Sequence, residues 1–378
     1  MLYLDNAATT PVRREVLEAM LPFLTTRFGN PSSHHTVGES AADALAEARA
    51  RVARHFGMRT SDVIFTSGGT EANNLAIKGI AIAAHKRGKN HIVTTPIEHE
   101  SILESTSYLE RIHGFAVDRV PVDGEGRLSP DALLPALRDS TALVSVGFAN
   151  NEVGTIQDAA ALVTCAHERG VPVHLDAVQA AGWLRLDDTG ADALSIAGHK
   201  LGAPKGIGVL AIRGRIPLEP LLHGGGQERG RRSGTENVAG AVGIATALDV
   251  AEAEREESAA RVALLRDDLI RRVLATVPTA TLTGDPTWRL PGTASFTFAG
   301  TSGEAVLLEL ERRGVVSSSG SACAAGSDEP SHVLLALGIA PEVAQTAVRV
   351  TFSHTATGGI DDLASAVAAS VAAVASGG

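Results

Sequence analysis

The sequence predicts an α/β protein, with a mainly parallel sheet in a large domain and a smaller α/β domain after it. Two observations lead there. Six short apolar runs between residues 63 and 212 alternate with amphipathic stretches, the pattern of a parallel sheet covered by helices. The chain has 378 residues, 44% of them hydrophobic. That is long for one core and enough to bury a substantial interior.

The runs are 63–66, 91–94, 142–146, 171–175, 193–196 and 208–212, and helical patterns such as 71–86 and 158–169 lie between them. From Asn237 to about Ala275 the pattern becomes one long helix. Strand-like runs then return on a smaller scale at 294–298, 315–317 and 348–352, and residues 365–378 read as a last helix that frays. We expect the second domain to begin within the long helix. Residues 14–255 then form the large domain, and 1–13 pack with 256–378 in the small one.

The net charge of −10 argues against broad binding of nucleic acid or an anionic membrane surface. A cluster of Arg229, Arg231 and Arg232 beside Thr235 is the local exception, and suggests a subunit seam or an acidic partner. An acidic Asp5 and the lack of a basic n-region speak against a secretory signal, and no apolar run is long enough to span a bilayer. The two cysteines, Cys165 and Cys323, form no CxxC, so neither a disulfide framework nor a zinc site is expected. A reduced, cytoplasmic chain is the default.

In such sheets, sites form where strands end and loops begin. There are five lysines against twenty-eight arginines. Lys78, Lys86 and Lys89 sit on or just after a helix that looks solvated. Lys200 and Lys205 instead lie in a glycine-rich loop directly after a buried strand. That is where a Schiff-base lysine could be placed by rigid backbone and kept partly desolvated. The same loop reads equally as a surface turn with two snorkelling lysines.

Asp176 ends the run 171–175. It suits a partner for a protonated pyridine nitrogen or a cap for the next helix, and Gln179 would follow on the same side. Ser67-Gly68-Gly69-Thr70 leads from a strand into a helix, a phosphate cradle of backbone N–H groups, and is neither a Walker loop nor GxGxxG. His99 follows the strand 91–94, where it is structural or a proton carrier. Cys323 sits in a loop of small residues, suited to a thiol that must travel. Cys165, on a helix, reads as a small buried hydrophobe. Arg349, on an apolar strand, suits a substrate carboxylate or a structural salt bridge.

Taken together the segments TSGGTEANN, EHES, NNEVG, HLDAVQ, GHKLGAPKG, GGGQERGRRSGT and SSSGSACAAGSDEPSHVL resemble, in order and over almost the whole length, the NifS/IscS-like cysteine desulfurases of the class V aminotransferase family. The resemblance implies the fold-type I arrangement of pyridoxal 5'-phosphate enzymes and a homodimer. By it, Lys200 matches the Schiff-base lysine, His99 the histidine stacked on the cofactor, and Asp176 and Gln179 the ring contacts. Asn151 matches a residue touching cofactor and substrate. Gly69, Thr70 and His199 match phosphate-side residues, and Thr235 a threonine lent by the partner subunit. Asn30-Pro31-Ser32 matches a segment lining the site, Arg349 the substrate-carboxylate arginine and Cys323 the sulfur acceptor.

The activity so implied removes sulfur from L-cysteine, giving L-alanine and a persulfide on Cys323. The sulfur would pass to an acceptor or iron–sulfur scaffold protein, with tRNA thiolation or DNA phosphorothioation as other destinations. No resident metal is expected, although Cys323 could transiently ligate a cluster shared with a scaffold. The long SSGSAC loop is similar to that of one branch of the family, which the resemblance links to direct hand-over of sulfur to a partner protein. One departure stands out: Ala197 occupies a position where the family commonly has a phosphate-binding serine, unless Ser195, water or a neighbour replaces that hydroxyl.

Two other readings compete. One is a different activity of the same family: an aminotransferase, a kynureninase-like hydrolase or a selenocysteine lyase. Of these only the lyase needs a nucleophilic cysteine on a mobile loop. The other is a non-catalytic scaffold, against which the intact Lys200, Asp176, His99 and Cys323 speak.

Overall fold

The computed structural model describes residues 1–320 and 329–377. Along the chain the strands are β1 (Leu2–Tyr3), β2 (Val63–Thr66), β3 (His91–Thr94), β4 (Ala116–Arg119), β5 (Thr141–Gly147), β6 (Val173–Asp176), β7 (Ala193–Ala197) and β8 (Gly208–Ile212). They continue with β9 (Ala280–Leu282), β10 (Thr293–Phe298), β11 (Val315–Val316) and β12 (Val348–Thr351).

Seven strands form the large sheet in the order β2-β8-β7-β6-β5-β3-β4. Pairing is parallel from β7 through β4, whereas β8 runs antiparallel to both of its neighbours. A strand antiparallel to two neighbours leaves those two parallel to each other, so β2 points the same way as β7. The carboxyl ends of β2, β3, β5, β6 and β7 therefore share one edge. The apolar runs that predicted β2, β3, β7 and β8 are buried at every residue, as strands covered by helices on both faces must be.

Several strands differ from the expectation, three of them for plain physical reasons. β6 begins at Val173 rather than at residue 171, because Pro172 has no N–H to give the ladder. The edge strand β4 and the short β9 carry exposed or half-exposed side chains and so gave no apolar signal. Lys78, expected on a solvated face, is half-buried with its amine 4.4 Å from the Tyr108 ring centroid.

A second, antiparallel sheet, β12-β10-β9, lies in the C-terminal part, and β1 pairs in parallel with β11. The helix Val238–Thr276 has 39 residues, which at 1.5 Å per residue is roughly 58 Å long. Its first half, through Ala251, packs into the core of the large sheet. Val262, Leu269 and Val273 instead join Leu4, Phe296, Phe298 and Val350 in a separate core. Among the described residues no helix is long and apolar enough to cross a membrane.

Gly208 shows how closely the sheet edge is packed. It is in register with Thr66 on one side and Ala197 on the other, and a Cβ there would come 2.5 Å from the Gly68 carbonyl carbon. Gly208→Ala must therefore push the turn that leads to Gly69 and Thr70. We expect a loss of about 1–3 kcal/mol in denaturant unfolding. An unchanged midpoint would show that the turn is free to yield.

Candidate active site

Loops after β2, β3, β5, β6 and β7 converge on a cavity of about 420 Å³ at the shared edge, within the usual size range of small-molecule sites. Of the residues singled out in the sequence, Gly69, Thr70, His99, Asn151, Asp176, Gln179, Ala197, His199, Lys200 and Arg349 all line it.

β7 ends at Ala197, and the chain turns through Gly198–Lys200 as one 3₁₀ turn. That turn brings the half-buried Lys200 into the cavity and leaves Lys205 exposed. The Lys200 amine donates to the backbone carbonyls of Ala7 and, at 2.7 Å, Ala8. The Ala7 carbonyl also accepts from Gln179 Nε2 at 3.0 Å. The first residues of the chain thus form one wall. His199 is fastened to the same segment, its Nδ1 lying 3.2 Å from Thr9 Oγ1. Burial, and then the charges of Lys200 and Lys205, push its imidazole down to about 4, so the ring is neutral at neutral pH.

Asp176, the last residue of β6, is buried. Its Oδ2 accepts from Asn73 Nδ2 at 2.7 Å, and its Oδ1 from Val178 N–H at 3.0 Å. It thus closes its own turn while facing the cavity. Asn73 Nδ2 also reaches Ser101 Oγ at 2.9 Å, and that hydroxyl lies 2.8 Å from His99 Nδ1. The Ser101 N–H donates to the same nitrogen at 3.0 Å, which places the proton of a neutral His99 ring on Nε2. One hydrogen-bonded chain therefore connects His99 with Asp176.

The helix Gly69–His85 points its N-terminus at the cavity, and its N-cap Gly68 supplies no side-chain cap. Ala197 presents a methyl group beside it: a Cβ on Gly69 would lie 3.3 Å from the Ala197 Cβ. Ser195 does not replace the missing hydroxyl. Its Oγ lies 2.8 Å from His174 Nε2, and His174 Nδ1 lies 2.9 Å from Ser145 Oγ. Burial pushes this His174 ring down to about 3.

Arg349 on β12 is only 1% exposed. Its guanidinium pairs with Asp5 Oδ1 at 2.7 Å and donates to the carbonyls of Asn151 at 2.7 Å and Gly320 at 3.1 Å. Its Nε is buried without a partner. Of the two alternatives in the sequence, a substrate carboxylate or a structural salt bridge, the salt bridge is present, and the residue also lines the cavity.

Other expected residues are not brought together within the chain. Thr235 is exposed, and neither it nor residues 30–32 line the cavity. Cys323 lies outside the described residues. Cys165 is buried, as its helix position suggested. The arginine cluster is committed internally: Arg229 donates to the carbonyls of Ser61 and Val63, Arg231 to Ser61, and Arg232 pairs with Glu71 at 2.8 Å.

No motif signals the wall formed by the Ala7 and Ala8 carbonyls, since backbone carries no side-chain signal. The sequence also concealed Glu98, a buried carboxyl in the cavity. Burial first, and the nearby Asp176 charge as well, push Glu98 up to about 8 against the opposing hydrogen bonds from Thr95 and Gly147. Its signal was an acid directly beside the loop histidine after a buried strand.

The chain matches the family model "Aminotransferase class-V" over residues 2–361. It is 46% identical to "Cysteine desulfurase IscS" of Dictyoglomus turgidum over 352 residues, 93% of this chain and 89% of that protein. Among solved structures it resembles a NifS-like protein with a TM-score of 0.89 and 36% identity, covering 99% of this chain and 98% of the other. It also resembles "SspA in complex with cysteine", with a TM-score of 0.82 and 35% identity over 93% and 99% of the two chains. The mainly parallel sheet with its smaller companion is thus the fold-type I arrangement. The chain belongs to the class-V aminotransferase family and, within it, to the IscS/NifS-like cysteine desulfurases.

Proposed function

We propose that the chain binds pyridoxal 5'-phosphate through Lys200 and transfers sulfur from L-cysteine to Cys323, releasing L-alanine. One observation carries the reading. A lysine amine, a buried carboxylate and a helix N-terminus without a side-chain cap face one cavity of about 420 Å³. The donor set fits the coenzyme: an amine for the aldehyde, Asp176 for the ring nitrogen, and Gly69 and Thr70 at the helix N-terminus for the phosphate. When bound, the coenzyme supplies an electron sink for the substrate's Cα.

The chain's own residues do the rest. Arg349, in the cavity wall, offers the substrate carboxylate a cation, while Asp5 and the Asn151 carbonyl hold its guanidinium plane. Lys200, once substrate has displaced its amine from the coenzyme, and His99 through Nε2 are the groups placed to move the Cα proton. The Cys323 thiolate attacks the substrate sulfur, so that an S–S bond forms as the Cβ–S bond breaks. The bonding pair stays on Cβ, which takes a proton to become the methyl group of alanine. No external oxidant or reductant is needed.

We place the work in a homodimer, to which Thr235 and residues 30–32 contribute from the partner subunit. An exposed apolar stripe of Leu17, Leu21, Leu24 and Phe28 supports a surface that a partner subunit covers. The sulfur acceptor is a protein, with iron–sulfur assembly as the first candidate destination. The cytoplasm is the compartment that would keep Cys323 reduced. The change of core along the helix Val238–Thr276 supports division into 14–255 and 1–13 with 256–378.

Cys323→Ser should keep the visible absorption of the bound coenzyme while losing alanine production from L-cysteine. Normal turnover in this variant would remove Cys323 as acceptor. Ala197→Ser should tighten coenzyme binding to the apoprotein by about ten- to a hundredfold, the range of one hydrogen bond to a charged group. An unchanged dissociation constant would show that another donor already stands in for the hydroxyl.

A further inference from the structure

Glu98 has no role in the reading above, yet it lies at the heart of the site. Its side chain is buried on the loop after β3 and lines the cavity beside His99. Both carboxyl oxygens are fixed. Thr95 Oγ1 lies 2.6 Å from Oε1, and the Gly147 N–H donates to Oε2 at 2.6 Å. Gly147 is the register partner of Asp176 across β5 and β6. The contact therefore anchors Glu98 at the end of the strand beside Asp176, and the Asp176 charge acts on it.

The groups around Glu98 come from four elements. They are Asp176 on β6, Gly147 on β5, Thr95 and His99 on its own loop, and His332 on the helix His332–Ala336. The Nε2 of His332 lies 3.0 Å from the Glu98 backbone carbonyl. Lys200 and Arg349 enter the cavity from β7 and β12. Two neighbouring carboxyls in a buried site do not both ionise readily. The donors decide which one does: Asp176 takes an amide N–H from Asn73 and a backbone N–H from Val178. Glu98 faces a hydroxyl, Thr95, that can equally accept a proton.

We propose that Glu98 is a positioning residue that stays protonated in the working protein, so that Asp176 remains the single ionised carboxylate on that wall. In the neutral form the Glu98 carbonyl oxygen accepts from Gly147 N–H, and its O–H donates to Thr95 Oγ1. Loss of the proton would set a second negative charge beside Asp176. That would disturb the pairing of Asp176 with a protonated ring nitrogen. The inference rests on the reading of Asp176 given above and deepens it.

The test begins with the apoprotein. Glu98 ordinarily titrates at 4.5 and in the fold at about 8. Between these values the folded chain holds one more proton than the unfolded chain, so stability falls as pH rises through that window. The buried His174 and His354 and the half-buried His199, pushed down to about 3, 3 and 4, act in the opposite sense. Their contribution is complete above their ordinary value of 6.5, which leaves the interval from pH 7 to 8 to Glu98. Glu98→Gln keeps the neutral shape. The ratio of its folding equilibrium constant to that of the wild type should rise about fivefold between pH 7 and pH 8; a flat ratio overturns the proposal.

A second readout needs no variant. Ordinary carboxyls are ionised at pH 7. The wild-type infrared spectrum should therefore show a carboxylic-acid C=O band at pH 7 that converts to carboxylate by pH 9. Absence of that band overturns the proposal even if Glu98→Gln does not fold. With pyridoxal 5'-phosphate added, the wild type should change its visible absorption as pH rises through about 8, and Glu98→Gln should not. An identical change in both proteins would sever Glu98 from Asp176. If the apoprotein results hold but neither protein takes up the coenzyme, the cofactor reading fails instead.

Discussion

An ammonium group drawn into a cavity must be given acceptors, because an unpaired buried charge costs several kcal/mol. Lys200 obtains them from the carbonyls of Ala7 and Ala8. That choice ties the site to the first residues of the chain, which also pair β1 with β11 and link Asp5 to Arg349. The Arg349 side and the Lys200 side of the cavity are therefore fastened to one segment. Backbone carbonyls make suitable temporary partners. They hold the amine in place by hydrogen bonds that a reacting aldehyde can displace.

The geometry that delivers Lys200 to this point depends on the direction of β8. Because β8 is antiparallel to β7, the connection between them needs no crossover helix, and a short glycine-rich loop suffices. The same antiparallel strand restores β2 to the direction of β7. The helix Gly69–His85 therefore starts at the edge where the amine stands. Asp176, His99 and the Asn151 loop arrive there through ordinary parallel connectivity, in line with the rule that sites form at the carboxyl ends of such strands.

Much of this was legible in the chain. The apolar runs located six of the seven large-sheet strands, and the long helix and the strand bearing Arg349 were also visible. The side chains that converge were visible as motifs because their chemistry is distinctive. The rest was hidden for physical reasons. β4 and β9 are half-exposed and carry no apolar pattern. Strand direction leaves no periodicity in a run of five residues. The carbonyls that receive Lys200, and the engagement of Ser195 by His174, depend on tertiary approach. Glu98 was concealed because an acid in a loop ordinarily reads as solvated, and only burial reveals it. Thr235 and residues 30–32 lie away from the cavity of their own chain, so their expected place at the site could not come from the fold of one chain.

The central claim is that a particular amine, out of five lysines, carries the coenzyme covalently. The direct measurement is borohydride reduction of the protein loaded with pyridoxal 5'-phosphate, followed by proteolysis and mass mapping of the fixed label. The label should sit on Lys200 at one per chain. A label on Lys205, on Lys78, or spread over several lysines would contradict the account, as would failure to trap any label.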